Sequence, residues 1–82
     1  MLDEGIIKES AHRHGIDDDD IRHALRWVID EFFVFGDDER PLTMVVGTTW
    51  SGSLIEVGLN ASGEIVHAMG ARRAFLRAFR RR

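Results

Sequence analysis

Three side chains in the second half of this sequence have the types that move protons and hold anions: Glu56, His67 and Arg72. Glu56 interrupts the apolar run of Leu54, Ile55, Val57 and Leu59, where a carboxylate must face water or find a partner. His67 falls in the run 64–69, on the same side as Ile65 and Met69. A histidine among such neighbours reads first as a satisfied core residue. If 54–59 and 64–69 pair through the turn 60–63, Glu56 and His67 come close in register, and alternation decides whether they share a face. A Glu56–Arg72 or Glu56–His67 pair is then either a catalytic couple or a structural ion pair on the open face of a sheet. Carboxylate and imidazole can each exchange a proton near neutral pH. A guanidinium forks onto phosphate oxygens and stays charged.

Arg72 also begins a basic block. The net charge of −3 divides unevenly: residues 1–69 hold five bases and fourteen acids, a balance of −9, and residues 70–82 hold six arginines and no acid. A chain that needed only solubility would mix its signs, so the block suggests a polyanion or an acidic partner. On a helical wheel of 70–81, Ala71, Ala74, Phe75, Ala78 and Phe79 form an apolar arc with Arg72 on its margin. Arg73, Arg77 and Arg80 form an outward stripe, either a track for phosphates or a solvated face near a helix C-terminus.

The elements that must position these groups follow from periodicity. Residues 4–14 predict a short helix with Ile6, Ile7, Ser10, Ala11 and His14 on one arc, ended by Gly15 in a left-handed conformation. His14 is therefore expected to be packed. Asp17 predicts the cap of a second helix over about 17–30, with Asp18, Asp19 and Asp20 in its first turn and Ile16 and Ile21 as a hydrophobic staple. Capping explains that acidic run better than a calcium loop, whose alternating ligands and glycine it lacks. Four β-rich runs follow, at about 31–36, 42–49, 53–60 and 63–69, separated by short turns that favour antiparallel neighbours. A last helix spans about 70–81. The expected fold is α+β: two N-terminal helices, a four-stranded antiparallel sheet and a basic C-terminal helix, in a single domain over 1–82.

The absence of cysteine removes disulfides, cysteine-based zinc sites and thiol catalysis. His12 and His14, two apart, do not share a helix face, so no metal site is expected there. No apolar run is long enough to span a membrane and the N-terminus does not read as a signal peptide, so a cytoplasmic chain without membrane contact is expected.

The segments His14-Gly15-Ile16 running into the aspartates, Gly52-Ser53-Leu54-Ile55-Glu56-Val57, and 65–76 together resemble the BrnT-type toxins of bacterial toxin–antitoxin pairs. The resemblance covers most of the chain in the right order. It implies a RelE-like ribonuclease fold, RNA cleavage without metal or other cofactor, and a tightly bound antitoxin, with DNA engaged only through that antitoxin. It also implies Arg72, at the family's Ala-Arg position, as the phosphate-stabilising group, with Glu56 or His67 handling protons. Arg73, Arg77, Arg80, Arg13 and Trp50 would contact RNA or a partner, Trp50 by stacking on a base. Arg13 stands where the typical family member has a lysine. That departure favours an alternative in which the same fold binds an antitoxin-like or regulatory protein through its basic helix without cutting RNA.

Overall fold

The computed structural model describes residues 2–36 and 38–76. Among the described residues one α-helix, α1 (Asp18–Arg26), precedes an antiparallel meander of β1 (Val28–Phe35), β2 (Pro41–Thr48), β3 (Leu54–Leu59) and β4 (Ile65–Gly70), whose spatial order is the chain order. The α+β class, the four strands and the helix on one sheet face are as the periodicity implies.

Local chemistry starts α1 where expected. Asp17 is extended and its side chain accepts the Asp20 N–H at 2.9 Å, with three aspartates in the first turn. Ile21, Ala24 and Leu25 are buried on the sheet, and Ile16 packs against the same core. The core lies between α1 and the inner faces of β2, β3 and β4, where Val45, Ile55, Val57, Leu59, Ile65 and Ala68 are all buried. Gly47 sets the spacing: a Cβ there would lie 2.2 Å from the Ala24 carbonyl oxygen, so the helix backbone rests directly on the strand.

Three expected elements differ. The helix over 17–30 stops at Arg26, and Val28 and Ile29, within its expected span, instead open β1. Their β-branched shape continues into the phenylalanine run, and pairing of Val28 with Gly47 outweighs another turn of helix. The helix over 4–14 is replaced by two 3-10 turns, Leu2–Glu4 and Glu9–His12, with an extended segment between them. That segment lies parallel to β4: Lys8 N–H donates to the Ile65 carbonyl and Ile65 N–H to the Ile6 carbonyl, both at 2.8 Å. A short helix is costly to nucleate, whereas an open strand edge offers ready partners. Arg22 and Arg26 fasten the N-terminal turn to α1, through the Asp3 and Gly5 carbonyls and the Asp3 carboxylate respectively.

The helix over 70–81 is also not formed where it can be described. Arg72 is extended (φ −73°, ψ 146°), and only Arg73–Phe75 makes a 3-10 turn. The wheel that placed Arg72 on a helix margin does not apply, and Arg77 and Arg80 lie outside the described residues. Among the described residues no helix is long and apolar enough to cross a membrane.

Gly47→Ala tests the close helix–sheet contact. The contact is with backbone and cannot swing aside, so the substitution should cost about 3 kcal/mol. In a chain of this size that lowers Tm by about 12 °C or more in a thermal melt.

Candidate functional site

Alternation along β3 sends Ile55, Val57 and Leu59 into the α1 core and Glu56 and Gly58 to the opposite face. Glu56 sits there between Val46 of β2 and Met69 of β4 and is fully buried. A carboxylate so placed must be matched by charge and hydrogen bonds. Arg72 supplies most of the match. Its backbone N–H donates to Oε1 at 2.8 Å, its Nε lies 3.1 Å from both oxygens, and its Nη2 donates to Oε2 at 2.7 Å. His67 Nε2 completes the set at 2.9 Å from Oε2.

Each partner is delivered by a local feature. His67 lies opposite Gly58, where a Cβ would approach the His67 Cβ to 3.1 Å, so the glycine makes room for the imidazole to lean towards Glu56. Ala71 N–H donates to the Leu54 carbonyl at 3.1 Å, which carries the β3–β4 ladder one residue past β4 and brings Arg72 over Glu56. The guanidinium then lies 4.7 Å above the Phe75 ring, which packs on Phe32 of β1 with centroids 5.2 Å apart. Residues 71–75 are thereby drawn across the sheet face opposite α1.

Burial pushes the Glu56 carboxyl up, but the hydrogen bonds from the Arg72 side chain and backbone and from His67 outweigh it and hold the group below its ordinary value of 4.5. Glu56 is therefore ionised at neutral pH and can only accept. His67 must donate through Nε2–H, which leaves the lone pair of a neutral ring on Nδ1. The His67 side chain is a quarter exposed and that of Arg72 about half exposed, above a carboxylate that water does not reach. Glu56 is thus a positioning residue, and His67 and Arg72 are the groups that can meet a ligand.

Residues 56, 67 and 72 are brought together as the strand register suggests. His14 joins them unexpectedly. It is exposed rather than packed, and its ring meets that of His67 edge-on, with centroids 5.9 Å apart and planes at 73°. Gly15 (φ +76°) does make the left-handed turn expected of it, but at the end of a 3-10 turn, which redirects His14. Nothing in the spacing of His14 and His67, which are 53 residues apart, signals their meeting. Arg13 is exposed beside His14, and Arg73 is exposed one residue beyond the cluster. Trp50, also exposed, stacks on His23 of α1 at 4.3 Å instead of joining Glu56, and its backbone N–H donates to Asp20 Oδ1 at 3.0 Å. Comparison of this chain with protein-family models, with curated proteins and with solved structures found no match.

The sign of the pH dependence follows from these contacts. Glu56 titrates near 4.5 when unfolded and lower when folded, so its contribution to stability is complete above pH 4.5 and is lost as pH falls through the folded value. Asp3, lowered mainly by its hydrogen bond from Arg26, acts in the same direction. Glu56→Gln should cost about 3 kcal/mol in urea unfolding at pH 7, because it leaves Arg72 and His67 facing an amide. The gap from the wild type should narrow as the wild-type carboxylate is protonated below pH 4.5.

Proposed function

We propose that this chain is a metal-independent endoribonuclease toxin of a toxin–antitoxin pair, of the BrnT type with a RelE-like fold, that cleaves RNA by attack of a 2′-OH on the adjacent phosphate. One observation carries the reading: a buried, ionised Glu56 fixes Arg72 and His67 side by side, with a second imidazole, His14, 5.9 Å from the first. These are the parts such a reaction needs. The Nδ1 of His67 takes the 2′-OH proton as the oxygen closes on phosphorus. Arg72 directs N–H groups at the non-bridging oxygens as charge gathers on them. His14, protonated, gives its proton to the departing 5′-oxygen, leaving a 2′,3′-cyclic phosphate and a free 5′-hydroxyl. Arg73 and Arg13 flank the cluster and would hold neighbouring phosphates, with Arg77 and Arg80 further along the basic segment. A cognate antitoxin would cover this surface, and DNA would be met only through the antitoxin.

A second reading has its own support in the Glu56–Arg72 contact. A bidentate clamp of this kind also serves simply to pin the C-terminal segment to the sheet, and the chain would then be an interaction module that docks an acidic partner without cutting RNA.

Incubation of the purified chain with RNA in the presence of a chelator separates the two readings. Cleavage leaving cyclic phosphate ends, abolished by a 2′-deoxy substitution at the cut site, is expected. His14→Ala touches only an exposed ring and should leave Tm unchanged while lowering cleavage about 10²- to 10⁴-fold. Arg72→Ala should lower cleavage about 10²- to 10³-fold at least. A chain that cuts no RNA at any concentration overturns the first reading in favour of the second.

A further inference from the structure

The sheet protects one edge and leaves the other open. The outer edge of β4 is paired with the Ile6–Lys8 segment, whereas among the described residues no strand pairs with the outer edge of β1. β1 is eight residues long, and its guards, the acids Asp30 and Glu31 and the register shift at Val28–Asp30, sit in its first half, whereas 32–35 carry no charge and no proline. Phe33 and Phe35 project from it on the α1 side, but α1 packs over β2 and β3, so they stand 83% and 77% exposed. A shallow groove of about 370 Å³, lined by Glu31, Phe32, Phe33 and Thr43, lies at this strand.

We infer that β1 is a dimerisation edge and that its occupant is β1 of a second copy of this chain, joined antiparallel into a continuous eight-stranded sheet. Charge placement selects the arrangement. On the α1 side of the strand Glu31 lies towards one end and Phe33 and Phe35 towards the other. A two-fold axis at Phe33 sets Phe33 against the partner's Phe33 and sets Glu31 against the partner's Phe35, which keeps the carboxylates apart. Parallel pairing in register would oppose like charges directly. The two phenylalanines offer roughly 300 Å² per copy, and the adjoining Trp27, Val28 and Ile29, all at least 40% exposed, roughly as much again. An isologous pair would bury between about 600 and 1,200 Å², the range of a weak interface.

Sedimentation of the full chain at about 100 µM, above the micromolar Kd of a weak interface of this kind, should give twice the 9.3 kDa protomer mass. Phe33→Lys, at an exposed position, should give the protomer mass with an unchanged circular dichroism spectrum. Amide exchange across 31–35 should be slow in the wild type and faster in that variant. Ile6→Lys, which removes an exposed apolar side chain at the opposite edge of the sheet, should leave the dimer intact. A monomeric wild type, a Phe33→Lys dimer, or dissociation by Ile6→Lys instead would each overturn the inference. None of these outcomes bears on RNA cleavage.

Discussion

A single ionised carboxylate below the surface governs the half of the molecule that faces away from α1. Moving a carboxylate out of water costs several kcal/mol even after relaxation, so Glu56 is tolerable only with its oxygens fully matched. The match comes from two places that are distant in sequence, the middle of β4 and the residue just past its end. Whatever arrangement satisfies Glu56 therefore also closes the β3–β4 pair and fixes the direction of the chain beyond Gly70. Arg72 is extended because its backbone N–H, as well as its side chain, is drawn to the carboxylate. A helix begun at Ala71 would have turned that N–H away. The following turn then sets Phe75 under the guanidinium and against Phe32, so the charge pair and an aromatic contact hold the same segment.

Two glycines in the central strands divide the labour between the faces. Gly47 lets the α1 backbone settle on β2, which makes the α1 side a dry core of aliphatic side chains. Gly58 faces the other way and lets an imidazole occupy space that a methyl group would contest. The same sheet thus presents an apolar surface to the helix and a polar, partly wet one to the C-terminal segment. Because β3 is paired on both sides, its backbone is among the least free to move, and Glu56 inherits that rigidity. A site built on a central strand is held more closely than one built on loops.

What could be read from the sequence was whatever depends on neighbours in the chain. The aspartate cap and staple of α1, the turns and the four strands are local patterns, and they are found within a few residues of where they were expected. Glu56 was legible for a related reason, since a charge inside an apolar run is a local anomaly that demands a partner. Contacts made at long range decided the rest. Ile6 and Ile7 fit a helical arc as well as a strand, and only the open edge of β4, some sixty residues away, selects the strand. The apolar spacing of 71–79 fits a helix, yet at Arg72 a buried carboxylate outranks periodicity. The meeting of His14 with His67 was not legible because it joins residues 53 apart, and placement on an expected helix pointed His14 inward.

The clamp that orients Arg72 also lessens what Arg72 can attract. The charges of Glu56 and Arg72 offset each other, so the clamp presents directed N–H groups and little net field. Orientation and long-range attraction are therefore assigned to different residues. The buried pair secures geometry, which salt scarcely screens because water does not reach Glu56. Attraction over distance must come from arginines outside the clamp, and residues 73–82 hold five of them in a chain whose first 69 residues are strongly acidic. On the proposed reading, the acidic body repels polyanions from most of its surface and the arginines of 73–82 supply the attraction that the clamped Arg72 cannot.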